Sequence, residues 1–143
     1  MENSFIAYAS IEIQASTSRV WDALTNPAII KQYLFGTETV SGWRVGDPII
    51  FKGTWEGKPY EDKGVIQSFE KEKELGYTYW SSFSNITDVP ENYMNIRFVL
   101  TRKNNMTTLA LTQDNCRNEE ARKHSEQNWK SVLEKMKNIL EIE

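Results

Sequence analysis

Residues 118–142, with the sequence NEEARKHSEQNWKSVLEKMKNILEI, have the hydrophobic pattern of one long amphipathic helix. Asn118 is a typical N-cap residue, and Glu119 and Glu120 follow in the first turn, where the helix dipole favours negative charge. About 24 residues at about 1.5 Å each make a rod of about 36 Å, which is long enough to cross a small sheet. The apolar residues that we expect this helix to bury are Trp129, Val132, Leu133, Met136, Ile139 and Leu140.

The apolar stripe of this helix loses its large side chains towards the N-terminus. Its continuation in that direction consists of Ser125, Arg122 and Ala121, which are small or polar. One interpretation is that the first turns of the helix overhang solvent. The other interpretation is that these turns border an opening in the hydrophobic core.

Length, charge and cysteine content limit the classes of function. The chain of 143 residues fits one domain with its own core, which we place over residues 1–143. A net charge of −3 without a cluster of Lys or Arg argues against a nucleic-acid partner. No apolar run approaches the roughly 20 residues of a membrane span, and the N-terminus lacks a signal-peptide pattern. The one cysteine, Cys116, cannot form an internal disulfide, which is typical of the reducing cytoplasm, and we expect a cytoplasmic protein.

The remainder of the chain predicts one strand, two short helices and six further strands. The first strand covers residues 5–14. Ser16, Thr17 and Ser18 are candidate N-caps for the first short helix, and Asn26 is the candidate for the second. Beyond residue 36 the hydrophobicity alternates with a period of two, interrupted by turn residues. The six strands predicted there cover residues 37–41, 49–55, 61–69, 75–80, 93–101 and 107–113. The clearest alternation places Met94, Ile96, Phe98 and Leu100 on one face and Asn95, Arg97 and Thr101 on the other.

This order of elements predicts an α+β fold. A sheet of about seven antiparallel strands with one wet face needs a cover on its other face, and the C-terminal helix is the element long enough to provide it. We therefore expect a curved sheet wrapped around that helix, with the two short helices after the first strand. Since a curved sheet and a straight helix cannot touch along their whole length, a gap remains at one end. That gap is either filled by side chains or left as a cavity.

The sequence contains no constellation of residues that is typical of catalysis or metal binding. His124 is the one histidine, and we expect it to be exposed in the charged half of the helix. With Cys116 as the one cysteine, too few ligands exist for a zinc centre. Glu61 and Asp62 are neighbours on a strand, so their carboxylates point to opposite faces. We therefore predict no catalytic residue, no metal and no cofactor.

Aromatic residues are the feature that we connect with function. Five Trp, six Tyr and six Phe are more than a core of this size needs, and buried Trp and Tyr require partners for their N–H and O–H groups. Ordinary core packing is one interpretation, and an amphipathic pocket lined by some of these rings is the other. The mouth of such a pocket is predicted at the N-terminal end of the long helix, with Ala121 at its rim, Ile30 in the opposite lip and Phe35 at the exit of the second short helix. The residues that we predict to line the cavity are Tyr33, Leu34, Trp55, Tyr77, Tyr79, Met94, Phe98, Ser125 and Trp129.

Five features of the sequence belong together: VWDALTNP at 20–27, WRVGD at 43–47, GTWEGK at 53–58, YEDKG at 60–64 and the pair Asn128-Trp129. Taken together, they resemble segments of the bacterial START-like (SRPBCC) proteins. The resemblance is greatest to the group named after the activator of heat-shock protein 90 ATPase, and it extends over essentially the whole chain. The family pattern often has Trp where this chain has Tyr33.

The resemblance implies a helix-grip fold with a hydrophobic cavity between the sheet and the long helix. Members of the superfamily carry lipids, sterols and polyketides, and a minority are cyclases or hydrolases. The leading hypothesis is a binding domain, without enzymatic activity, for a small hydrophobic or amphipathic molecule. The alternatives are a protein-interaction module that modulates a chaperone and a polyketide cyclase-like enzyme. Either a monomer or a homodimer is compatible with the sequence.

Overall fold

The predicted order of helices and strands is confirmed by the structure, a computed structural model that describes residues 5–82 and 86–141. The long helix begins one residue after the predicted cap, and Ile142 lies outside the described residues. The fold is α+β, with a short 3-10 turn at Pro90–Asn92 before the sixth strand. The helices and strands are β1 (Phe5–Ile13), α1 (Thr17–Thr25), α2 (Pro27–Tyr33), β2 (Glu38–Ser41), β3 (Pro48–Trp55), β4 (Lys58–Glu70), β5 (Glu74–Tyr79), β6 (Met94–Lys103), β7 (Met106–Cys116) and α3 (Glu119–Glu141).

The described strands form one curved antiparallel sheet in the order β1-β7-β6-β5-β4-β3-β2. The chain therefore begins at one edge of the sheet, crosses by way of α1 and α2 to the opposite edge, and returns strand by strand until β7 pairs with β1. Strand β4 begins earlier than the sequence predicted. The turn before it needs only Glu56 and Gly57, both with positive φ (50° and 82°), as in the tight turns that join hairpin strands.

The alternation predicted for β6 is confirmed. Its Ile96, Phe98 and Leu100 are buried and Met94 is half-buried. The side chains predicted to face solvent, Asn95, Arg97 and Thr101, are exposed. The apolar face of the sheet therefore lies towards α3, and its other face is exposed to solvent.

Helix α3 packs most tightly in its C-terminal half. Leu133 and Met136 are 1 % and 0 % exposed, and Val132 and Leu140 are also buried. The predicted N-cap is confirmed, since Oδ1 of Asn118 accepts a hydrogen bond from the N–H of Ala121 at 2.8 Å. Of the predicted apolar stripe, Trp129 and Ile139 are only half-buried. The fully covered part of the helix is thus about two turns long and lies beyond Trp129.

The first short helix begins at Ser16, one of its three candidate caps, the second begins at the predicted cap Asn26, and both close one end of the core. Oγ of Ser16 accepts the N–H of Arg19 in α1, and Oδ1 of Asn26 accepts the N–H of Ala28 in α2. The hydroxyl of Tyr33 donates to the carbonyl of Ala23 at 2.8 Å, which fixes α2 against α1. The buried residues of these helices are Val20, Trp21, Ala23, Leu24, Ile30 and Tyr33.

Helix α3 also covers the free edge of β1. Glu126 accepts the N–H of Tyr8 at 2.9 Å, and Glu141 accepts the N–H of Gln14 at 2.7 Å. Between them, the ammonium group of Lys137 donates to the carbonyl of Glu12 at 2.9 Å. Backbone groups that would otherwise be free to pair with another chain are thereby occupied by helix side chains.

The bond from Tyr8 to Glu126 predicts a dependence of stability on pH. The Tyr8 N–H and, secondarily, Arg122 hold the pKa of Glu126 below its usual value of 4.5. A carboxyl with a lower pKa in the folded state stabilises that state above the unfolded pKa, and this contribution is lost as the pH falls through the folded pKa. Glu126→Gln should therefore lower the free energy of unfolding at pH 7, and the difference from wild type should shrink as the pH falls from about 5 to about 3.

Urea denaturation at a series of pH values measures this difference. Glu134→Gln is the matched control, because Glu134 is exposed on the same helix. Its free energy of unfolding should differ little from that of the wild type at every pH. A Glu126→Gln difference that is unchanged at pH 3 would contradict the role of the ionised carboxylate.

Candidate ligand-binding pocket

A pocket of about 640 Å³ lies between the concave face of the sheet and the N-terminal half of α3. It begins where the large apolar side chains of the helix end, at Trp129, and it extends past Ser125 to the mouth beside the end of α2. Its lining consists of Leu34, Phe35, Thr37, Phe51, Trp55, Tyr60, Asp62, Tyr77, Tyr79, Ser81, Met94, Ile96, Gln113, His124, Ser125, Asn128, Trp129 and Val132. The stretch of α3 that contains His124, Ser125 and Asn128 therefore borders an opening, and the first turn, with Ala121 and Arg122, lies outside the lining.

Seven of the nine residues predicted to line a cavity lie in this lining. Tyr33 and Phe98 do not. They lie deeper, around a void of about 20 Å³. This void shares Leu34, Phe51, Tyr77 and Trp129 with the pocket. The rings of Tyr33 and Phe98 are 5 % exposed each, and Phe98 meets Trp129 edge-on with 5.9 Å between ring centroids. The seven residues in the lining are Leu34, Trp55, Tyr77, Tyr79, Met94, Ser125 and Trp129.

The predicted rim of the pocket needs a partial correction. Ser125 and Phe35 lie in the lining, as the sequence predicted. Ala121 lies one turn closer to the N-terminus of α3 and is not part of the lining. Ile30 belongs to the inner void, because α2 turns this side chain towards the core rather than towards the mouth. The opposite lip is formed by residues that follow α2, namely Leu34, Phe35 and Thr37.

Gln113 connects the helix to the pocket wall. Its side chain is 7 % exposed, and its Oε1 accepts the indole N–H of Trp129 at 2.7 Å. Its Nε2 donates to Oγ of Ser125 at 3.2 Å and approaches Sδ of Met94 at 3.0 Å. Sequence reasoning ended the last strand at Gln113 without assigning it to the cavity. The alternation of Leu109 and Leu111, continued by one step, would have placed it inside.

A second polar group in the pocket is the carboxylate of Asp62, which is 8 % exposed. The hydroxyl of Tyr79 donates to its Oδ2 at 2.6 Å, and the N–H and hydroxyl of Ser82 donate to its Oδ1 at 2.9 and 3.4 Å. Burial, followed by the negative charge of Asp62, raises the pKa of Tyr79 well above its usual value. The sequence correctly predicted opposite faces for Glu61 and Asp62, and Glu61 is exposed.

The walls between these polar groups are aromatic. The ring centroid of Phe51 lies 5.6 Å from that of Tyr77 and 5.9 Å from that of Tyr79. Burial raises the pKa of Tyr77, so its phenol is neutral at physiological pH. The pocket therefore combines apolar ring surface with a few fixed hydrogen-bonding atoms.

At the mouth, the chain leaves α2 through two residues with positive φ, Phe35 (55°) and Gly36 (85°). The Phe35 ring is 60 % exposed, and the ammonium group of Lys135 lies 4.9 Å from its centroid. Trp55 forms another part of the mouth and is 55 % exposed. His124 is exposed there, which confirms the prediction of a surface histidine.

Within residues 5–82 and 86–141, no group of three or more His, Cys, Asp and Glu side chains could hold a metal ion. None of the described helices is both long and apolar enough to cross a membrane.

A curved antiparallel sheet that holds a long C-terminal helix, with a pocket between them, defines the helix-grip class of START-like proteins. Residues 14–141 match the family model described as "Activator of Hsp90 ATPase homolog 1-like protein". The chain belongs to this family, and the resemblance found in the sequence is confirmed. No significant match was found among curated proteins.

Solved structures agree with this assignment. A protein from Cytophaga hutchinsonii is 45 % identical, with a TM-score of 0.87 over 99 % of this chain and 97 % of that one. A protein from Mesorhizobium loti has 21 % identity and a TM-score of 0.78 over 95 % and 96 % of the two chains. Aha1 from Colwellia psychrerythraea, which was solved as a dimer, has 21 % identity and a TM-score of 0.75 over 96 % of both chains. The last two show that the fold is shared.

The bond between Gln113 and Trp129 predicts a measurable coupling. Trp129→Phe leaves Oε1 of Gln113 without its indole donor, and Gln113→Leu leaves the indole N–H without its acceptor. Each single substitution should lower the free energy of unfolding by about 1–3 kcal/mol. The double variant should lose less than the sum of the two, with a coupling energy of about 1 kcal/mol in urea denaturation.

Gln67→Leu is the control for this cycle, since Gln67 is exposed on β4. When Gln67→Leu is combined with Trp129→Phe, the losses in the free energy of unfolding should be additive. Additive losses for Gln113→Leu and Trp129→Phe as well would show that their hydrogen bond contributes nothing to stability.

Proposed function

We propose that this chain is a binding domain that holds one small amphipathic molecule in the pocket between the sheet and α3. The observation that carries the proposal is the pocket itself, whose volume of about 640 Å³ falls in the range of small-molecule sites. Side chains fill the corresponding space at the C-terminal half of α3, where Leu133 and Met136 are buried. Between the sheet and α3, the pocket therefore lies at the N-terminal half of the helix, and the space around Leu133 and Met136 is filled.

The chemistry of the lining supports an amphipathic ligand over a purely apolar one. Trp129, Phe51 and Tyr77 offer ring surface to an apolar body. Gln113 and Asp62 place polar atoms at two separate points of the wall. Pockets of this composition orient a ligand by its polar atoms and gain most of their affinity from its apolar surface.

Filling the pocket from the helix side tests the proposal. Ser125→Trp should weaken binding of the uncharged dye N-phenyl-1-naphthylamine by about tenfold or more, because the indole would occupy ligand space. The free energy of unfolding should change by only about 1 kcal/mol, since the substitution removes the bond to Gln113 but displaces no packed core. Fluorescence titration and urea denaturation measure the two quantities.

Ser131→Trp is the matched control, because Ser131 is exposed on the same helix. It should leave dye binding unchanged. Native mass spectrometry of the purified wild-type protein should also detect a bound small molecule or accept an added one. Failure of the wild-type protein to bind the dye, or equal binding by wild type and Ser125→Trp, would contradict a ligand site in this pocket.

A second candidate function is the modulation of a chaperone. The family match favours it, as does a group of exposed apolar side chains on β1, where Phe5, Ile6 and Tyr8 are 41 %, 50 % and 54 % exposed. ATP hydrolysis by purified Hsp90, measured with and without the chain, separates the two functions. Stimulation that survives Ser125→Trp would assign activity to a surface and not to the pocket, and no stimulation would eliminate this candidate.

A further inference from the structure

The ionisable groups of the pocket are unevenly distributed. The described lining contains the carboxylate of Asp62 and no Lys or Arg side chain. His124 is in the lining but exposed at the mouth. The remaining polar groups of the lining are hydroxyls, amides and two indoles. A ligand deep in the pocket therefore meets a single formal charge among the described residues, and that charge is negative.

The donors that hold Asp62 are neutral. Among the described residues they are the hydroxyl of Tyr79 and the N–H and hydroxyl of Ser82, and hydrogen bonds from neutral donors do not cancel the formal charge of a carboxylate. The neighbouring Lys63 points away from the pocket and pairs with Asp88 at 2.7 Å. Within the described part of the chain, no ion pair joins Asp62 to a cation. Its buried charge is thus held in place but not neutralised.

The surroundings of Asp62 also favour a cation. Phe51 lies opposite Asp62 in the β3–β4 register, and its ring contacts those of Tyr77 and Tyr79. The faces of aromatic rings carry negative electrostatic potential and attract positively charged groups. The carboxylate of Asp62 and the aromatic rings therefore both favour a positively charged ligand.

We propose that the ligand carries a positively charged nitrogen head group, which lies at Asp62, while its apolar part extends towards Trp129. This inference rests on the proposed function of the same pocket. An anionic head group, such as that of a fatty acid, is disfavoured there because a like charge in a poorly solvated site is strongly repelled. An uncharged head group can bond to Asp62 but gains no attraction between opposite charges.

Three ligands with the same apolar chain test the proposal by displacement of N-phenyl-1-naphthylamine at pH 7. They are decylammonium, decanol and decanoate. The wild-type protein should bind decylammonium about tenfold or more tightly than decanoate, with decanol between them. In Asp62→Asn, the ratio of the two charged ligands should fall to within about threefold, because the fixed charge is gone.

Glu61→Gln is the matched control, since it removes the same charge from the exposed face of the same strand. It should retain the wild-type ratio. Thermal melting followed by circular dichroism checks that Asp62→Asn is folded. If this variant unfolds, the ratios measured for the wild-type protein and for Glu61→Gln still decide whether the pocket prefers a cationic head group.

The outcomes separate the two proposals. Equal binding of all three ligands by the wild-type protein, or a preference for decanoate, would overturn the inference about charge and leave a ligand pocket in place. A preference for decylammonium that persists in folded Asp62→Asn would assign the selectivity to another group and overturn the role of Asp62. No binding of the dye or of any ligand would overturn both the inference and the proposed function.

Discussion

The packing of a straight helix against a curved sheet decides where this molecule is filled and where it is open. Helix α3 has 23 residues, and the sheet follows it closely only in its C-terminal half, around Leu133 and Met136. Towards the N-terminus the two surfaces diverge, Trp129 becomes half-buried, and Ser125 lies in the pocket wall. The pocket is therefore a consequence of the same geometry that forms the core.

Side-chain bonds hold the pocket half of α3 in position where core packing no longer does. On one side, Gln113 bonds to Ser125 and to the indole of Trp129. On the other side, Glu126 accepts the N–H of Tyr8 in the edge strand β1. The turn that carries Ser125 is thus attached to both β7 and β1. The helix can border a cavity without losing its place, because polar contacts replace the missing apolar ones.

The two polar residues of the pocket, Gln113 and Asp62, differ in the interactions that they can offer to a ligand. Gln113 is neutral, and the helix uses both ends of its amide. Asp62 is charged, and its described donors are neutral groups from Tyr79 and Ser82. The first position contributes mainly to the structure of the wall. The second provides a fixed negative charge, on which the proposed preference for a cationic head group depends.

The sequence by itself determined the order of helices and strands, the N-caps of α2 and α3 and the buried face of β6, because these follow from local periodicity and capping chemistry. It placed Met94 inside and Asn95 outside, but it left open whether the stretch of α3 around Ser125 overhangs solvent or borders a cavity. The structure brings Ser125 into the lining of the pocket. Only the tertiary structure decided which inward-facing residues meet. Tyr33 lies below the pocket and Asp62 lies within it, because strand order and sheet curvature bring distant residues together. A local hydrophobic pattern predicts which face of the sheet a residue is on, but not which residues surround it on that face.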